Sequence, residues 1–312
     1  MSSVIETDKL TKLYGDLLAV KDLSISVESG EILGFLGPNG AGKTTTTRIL
    51  SGLIAPSSGH AVVSGMKTDR TPELLHEKVG ILTETPGFYE RMTALENLLY
   101  FGGFYEIDQL SQAEKYLNIM GLSDRKQDKV TGFSRGMLQK LALARALIHE
   151  PEIVFLDEPT AGLDPEASIE IRNLIRDLKN RGHTVFLTTH NLEEAETLSD
   201  RIALIRTRLL VLDTVKNLKN QLFKPQVTVE LESVNKTIMN AVKGLKIVKN
   251  VQQEKNILHI DIDDPESQSP ILVKRIVEAG GDIRTVSEKH HTLEDVYLSL
   301  IREEKEKVDE SD

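Results

Sequence analysis

Along the first 215 or so residues, short apolar runs of strand length alternate with helical stretches. Glu31–Leu36 is apolar and breaks at Gly37, the pattern of a buried strand running into a glycine loop. Lys43–Leu50 follows as a helix. Further on, the strand Ile153–Leu156 precedes a helix over Glu166–Lys179, and the strand Thr184–Leu187 precedes a helix over Leu192–Leu198. This alternation predicts an α/β unit with a mostly parallel sheet covered by helices. After the strand Val79–Leu82 comes a helical insertion, about 94–149.

The rhythm changes after Lys224-Pro225. Val227–Leu231 reads as a strand, followed by a helix near Thr237–Val242 and strands near Leu245–Val251 and Ile257–Ile262. A helix over Pro270–Ala279 and a strand over Asp282–Val286 complete a β-α-β-β-α-β order, the ferredoxin-like pattern of a small α+β domain. The expected domains are therefore 3–220 and 225–300, with a charged tail over 301–312. From Arg302 that tail reads REEKEKVDESD and is expected to fray.

Composition narrows the function classes. The formal net charge of -10 and pI near 5.4 leave no global basic field, so no nucleic-acid partner is expected. The absence of Cys excludes disulfides and thiolate metal sites. MSSVIETDKL does not read as a signal peptide, and no segment approaches the ~20 apolar residues of a membrane helix. Any service to a membrane would then go through another polypeptide.

Two motifs carry chemistry. Gly37-Pro38-Asn39-Gly40-Ala41-Gly42-Lys43-Thr44 fits G-x-x-x-x-G-K-[ST] at every fixed position, between a strand and a helix. Glycines let the backbone curl so that amides point at a β-phosphate, and the helix that follows, through Thr45, adds its positive amino end. Lys43 would bridge β- and γ-phosphates, and the Thr44 hydroxyl would hold Mg²⁺. The second motif is the strand end Ile153-Val-Phe-Leu-Asp157-Glu158. Consecutive strand residues face opposite sides, so Asp157 would reach the Mg²⁺ shell while Glu158 faces the attacking water.

Between these motifs stands Phe133-Ser134-Arg135-Gly136-Met137-Leu138-Gln139; after them come Ala161-Gly162-Leu163-Asp164 and Thr188-Thr189-His190. In this order the elements resemble the ATP-binding cassette family over about residues 3–215. Residues 225–300, with His291-Thr-Leu-Glu-Asp-Val-Tyr297, resemble the small C-terminal extension of bacterial and archaeal exporter-type cassettes. The resemblance implies a P-loop NTPase cassette that binds and hydrolyses ATP with Mg²⁺. Such a subunit sits at the cytoplasmic face of the membrane and couples dimer closure to transport, in the export direction, by a separately encoded permease. It also implies a second cassette subunit, identical or paralogous. Tyr14 would stack on adenine. Ser134 and Gly136 would contact the γ-phosphate held by the opposite subunit, and Asp164 would link the two sites. His190 would hydrogen-bond the γ-phosphate and fix the water beside Glu158.

Beside a soluble cassette ATPase without a permease, departures from the family pattern keep open a regulatory, non-catalytic nucleotide binder. Phe133, Arg135 and Met137 replace residues of the usual Leu-Ser-Gly-Gly-Gln, and Arg135 adds a cation near the γ-phosphate. The usual Gln after Val79–Leu82 is Glu84, which can still ligate Mg²⁺ but repels the γ-phosphate. Of the chain's eight Phe and six Tyr, Phe88, Tyr89, Tyr100, Phe101, Phe104 and Tyr105 cluster just after Glu84. Phe88 and Tyr89 are expected at a partner surface, and Tyr100, Phe101 and Phe104 in the core. His290-His291 is read as structural rather than as a metal pair.

Overall fold

In the middle of the fold, three strands are buried at every residue: Ile32–Leu36, Ile153–Asp157 and Thr184–Thr189. Strands covered on both faces read as continuous apolar runs, which is why they stood out in the sequence. The computed structural model that gives this fold describes residues 3–309 apart from Lys224 and His290, with side chains through Arg302. The chain forms two units, Met1–Val215 and Lys216–Asp312.

The first unit is built on a six-stranded sheet in the order Arg208–Asp213, Arg201–Arg206, Ile32–Leu36, Thr184–Thr189, Ile153–Asp157, Val79–Leu82. All neighbours are parallel except the outermost pair, Arg201–Arg206 with Arg208–Asp213. Alternate side chains feed two cores. Ile32, Val154, Leu156, Val185 and Leu187 pack on the side of the helical insertion. Leu33, Phe35, Ile153, Phe155 and Phe186 pack on the other, with Phe186 5.0 Å from Phe35 and 5.7 Å from Phe155 between ring centroids.

That second core is closed by a five-stranded antiparallel sheet the sequence reading did not resolve. Ser3–Tyr14 pairs with Leu17–Leu23, Ser26–Glu28 and Ser58–Val63, and Met66–Lys67 extends the edge. Its longer strands bury only every second or third position and carry register shifts, so no apolar run marks them.

The insertion holds the helices Ala94–Gly102, Gln109–Ile119 and Arg135–Leu147. Thr93 and Glu96 form a reciprocal capping box, while Asp108 and Ser134 cap the other two. The aromatic cluster divides otherwise than expected. Tyr89, Tyr100 and Phe104 are exposed, whereas Phe88 and Phe101 are half-buried and both flank the Arg145 guanidinium, at 4.9 and 4.7 Å. The reason is helical phase: Ala94–Gly102 buries Ala94, Asn97, Leu98 and Gly102, which leaves Tyr100 on the outer side. The helix also ends before Phe104.

The second unit carries an antiparallel sheet in the order Val248–Glu254, Ile257–Ile262, Gln226–Leu231, Ile283–Glu288, with the helices Lys236–Lys243 and Pro265–Glu278. The ferredoxin-like order stands, with three shifts. The first hairpin strand begins at Val248 rather than Leu245, because Gly244 and Leu245 still donate to the Asn240 and Val242 carbonyls. The second helix begins at Pro265, capped by Asp264, and keeps Pro270 inside it. A proline in the second turn forfeits one hydrogen bond, while Leu272 and Ile276 downstream are fully buried. The last helix, Leu293–Asp309, continues through most of the segment expected to fray. His291 stacks on Phe223 with centroids 3.9 Å apart, a packing role, while His290 lies outside the described residues. Among the described residues no helix is long and apolar enough to cross a membrane.

Candidate active site

Parallel neighbours put three loops at one sheet edge. Leu36 pairs with Thr189, and Asp157 with Thr188, so the Gly37 loop, Glu158 and His190 all leave the sheet side by side. Open α/β sheets bind ligands at this carboxyl end.

The loop is shaped by backbone that cannot carry side chains. A Cβ on Gly37 would lie 2.5 Å from the Ile205 carbonyl oxygen, and one on Gly42 2.5 Å from that of Ala19. Gly42 has φ +99° and is the amino cap of the helix Lys43–Leu50, with no side-chain cap. Thr46 is the first residue to donate back, to the Gly42 carbonyl at 2.9 Å. The amides of the first turn are therefore available to a ligand, at the positive end of the helix. Gly42→Ala is expected to cost roughly 1–2 kcal/mol in left-handed strain plus a further cost of backbone displacement. Gly40, at φ +80° but with open space around it, should lose only the strain. Denaturant unfolding of the two alanine variants compares them, with equal midpoints counting against this loop geometry.

Lys43 is buried and gives its ε-ammonium to the Gly37 carbonyl at 2.8 Å, the Pro38 carbonyl at 3.4 Å and Glu158 Oε1 at 3.2 Å. Asp157, also buried, accepts from the Thr188 hydroxyl. Glu158 does not follow Asp157 by strand alternation. The strand ends at Asp157, and Glu158 turns to φ +52°, a left-handed conformation costly for a non-glycine residue. That turn aims its carboxylate at Lys43 on one side and His190 on the other, where Nδ1 lies 2.8 Å from Oε2. The His190 backbone amide also donates to Oε2, at 3.4 Å.

Lys43, Glu158 and His190 line a cleft of about 440 Å³ with Tyr14, Pro38, Asn39, Gly40, Gly42, Thr44, Thr45 and Glu84. Tyr14 is 45% exposed at the end of its strand, with Lys12 Nζ 5.3 Å from the ring centroid. Glu84 is exposed on the bend after Val79–Leu82. Gly37, Ala41 and Asp157 are buried and do not line the cleft. Leu17, Leu18 and Ala19 line it too and were missed; the turn after Tyr14 was their only trace.

Ser134, Gly136 and Asp164 lie outside this cleft. Ser134 caps its helix by accepting from the Met137 amide at 3.3 Å, and Asp164 caps Pro165–Asn180 through the Ala167 amide at 2.9 Å. A Cβ on Gly136 would meet that of Ala167 at 3.0 Å, so glycine keeps the two helix starts close. Arg135 donates to the Gly162 carbonyl at 3.3 Å.

Comparison with known proteins agrees with this geometry. The ABC transporter family profile matches residues 20–161, and the profile "ATP-binding protein DrrA1-3-like, C-terminal domain" matches 214–301. The chain is 36% identical over 302 residues to the bacitracin transport ATP-binding protein BcrA of Bacillus licheniformis, covering 96% of this chain and 98% of that one. It is 39% identical over 213 residues to a fluoroquinolones export ATP-binding protein of Mycobacterium tuberculosis, covering 68% of this chain and 70% of that one. A solved ATP-binding cassette, a dimer in a post-hydrolysis state with ADP and phosphate, superposes at TM-score 0.62 with 26% identity, covering 68% and 98% of the two chains. The chain thus belongs to the ATP-binding proteins of ABC transporters and is the subunit that binds and hydrolyses ATP.

Proposed function

We propose that this subunit powers outward transport by a separately encoded membrane permease, acting as a pair of cassettes that close over two ATP molecules. The observation that carries the reading is an incomplete cleft: the phosphate loop, Glu158 and His190 share it, while Ser134, Gly136 and Asp164 do not. A second cassette, identical or paralogous, would supply its Ser134–Gly136 helix start to the exposed γ-phosphate, where the positive helix end favours an anion. The dimeric form of the similar solved cassette and the export named for the mycobacterial relative support this reading.

In the closed pair, phosphate oxygens compete with Glu158 for the Lys43 ammonium, freeing the carboxylate to accept the water's proton. His190 holds that carboxylate from the other side. Positioning and charge stabilisation supply the rate. Among the described residues no three His, Cys, Asp or Glu side chains form a metal cage. The Thr44 hydroxyl and the Glu84 carboxylate in the cleft, with the buried Asp157 carboxylate, would hold Mg²⁺ carried in on the nucleotide phosphates, whose charge it would offset. Tyr14 would stack on the adenine ring.

The permease would dock on the exposed face of Tyr89, Tyr100 and Phe104, beside a groove of about 590 Å³ lined by Phe101, Phe104, Tyr105, Arg145 and His149. The subunit would thereby be held at the inner face of the membrane. Purified protein with Mg·ATP should release phosphate, and co-expression with neighbouring genes should yield a complex with a multi-span membrane protein. Phe104→Glu should weaken that complex about tenfold or more. Phosphate release by a protein that never joins a membrane partner would overturn the transport reading in favour of a free-standing or regulatory ATPase.

A further inference from the structure

One buried acid has no part in the chemistry described so far. Glu194 lies in the first turn of the helix Leu192–Leu198, four residues after His190, and is 1% exposed. Asn191 caps this helix through the Glu194 amide at 3.1 Å. In a capping box the third-position acid would return to the cap residue's own amide. Here the Asn191 amide is taken by the Thr189 hydroxyl, at 3.0 Å. The Glu194 carboxyl reaches elsewhere: Oε1 accepts from the Thr160 hydroxyl at 2.8 Å, while Oε2 is buried without a hydrogen-bond partner among the described residues.

Burying an acid this deeply is costly, and the neighbourhood does not neutralise the cost. Burial raises its pKa, the charge of Glu158 pushes the same way, and the Thr189 and Thr160 hydroxyls pull only partly back, as does Arg172. Protonated or not, the carboxyl oxygen accepts from Thr160. Thr160 stands two residues beyond Glu158, in the turn where the Ala161 amide donates to the Glu158 carbonyl at 3.1 Å and that of Leu163 to Thr160 at 3.2 Å. The Glu158–His190 contact joins the ends of two neighbouring strands; Glu194–Thr160 is a second tie between the same two segments, placed behind the first.

We propose that Glu194 is a positioning residue for ATP hydrolysis: its grip on Thr160 locks the turn carrying Glu158 to the segment carrying His190. The proposal rests on Glu158 and His190 being the hydrolytic pair. A small misplacement of reacting groups costs far more in rate than in binding.

Phosphate release against ATP concentration, with unfolding midpoints, tests it on wild type, Glu194→Ala, Glu194→Gln, Thr160→Val and the Glu194→Ala/Thr160→Val double variant. Glu194→Ala and Thr160→Val should each lower kcat about 10- to 100-fold with KM for ATP within about twofold. The double variant should fall no further than the worse single one, as a shared contact requires. Glu194→Gln should keep most of the wild-type kcat, because its amide oxygen still accepts from Thr160. Additive losses, a KM rise that matches the kcat loss, a Gln variant as slow as the Ala variant, or unchanged kcat would each overturn the positioning role. Should Glu194→Ala not fold, Thr160→Val against Glu194→Gln decides by the same criteria. A wild type that releases no phosphate would instead overturn the hydrolytic reading itself.

Discussion

Glu158→Gln is expected to slow phosphate release about 100-fold or more, the loss typical of removing a general base, while leaving ATP binding intact. The substitution keeps the shape of the side chain and removes its charge. At φ +52° the backbone still aims the group between Lys43 and His190, so the amide occupies the same place without accepting the water's proton. One consequence separates this variant from a misfolded one. Lys43 loses its buried anionic partner and is left with the carbonyls of Gly37 and Pro38, so its charge is freer for a triphosphate. Nucleotide affinity should therefore hold or rise, and ATP-dependent dimer should accumulate because the closed state cannot discharge. Size-exclusion chromatography with ATP and a phosphate-release assay read both. Wild-type release rates in this variant would take the base role away from Glu158.

The contrast between what could be read from the sequence and what could not follows from how each group earns its place. The 37–44 loop was legible because its chemistry demands particular residue types at fixed spacing, and the structure shows why at Gly37 and Gly42, where a Cβ would strike backbone oxygen. The doubly covered strands were legible because burial on both faces leaves them uniformly apolar. The antiparallel sheet was not, since a strand such as Ser3–Tyr14 hides only every second or third side chain. Tyr100 differs from expectation because hydrophobicity alone does not give the phase of a helix, which the buried Asn97, bonding the Tyr89 carbonyl at 3.1 Å, sets; Phe104 differs because the helix ends at Gly102. Glu194 could not have been singled out, for an acid in Asn-Leu-Glu-Glu-Ala reads as solvated surface until Thr160 is brought up against it. Strand alternation does not account for where Glu158 points: its separation from Asp157 comes from a left-handed turn that no spacing rule announces.

Lys43→Ala should act through both of the contacts that the Glu158 variant leaves half intact. With ATP, it removes a charge-assisted contact to the phosphates worth about 1.5–3 kcal/mol, an expected loss of roughly 10- to 100-fold in affinity. Without ATP, it strips the Gly37 carbonyl of a 2.8 Å donor and Glu158 of its nearest cation, in a site where both partners are about nine-tenths buried or more. An unpaired buried acceptor costs about 1–3 kcal/mol, so the unliganded variant should also be less stable. The two effects have opposite signatures in combination. Adding the Glu158→Gln change to Lys43→Ala should recover part of the lost stability, because the uncompensated charge is gone, yet recover none of the lost affinity, because the phosphates still lack the ammonium. Isothermal titration with ATP and denaturant unfolding of the four proteins measure the cycle. Affinity that survives Lys43→Ala unchanged would mean the triphosphate does not lie in the 37–44 loop.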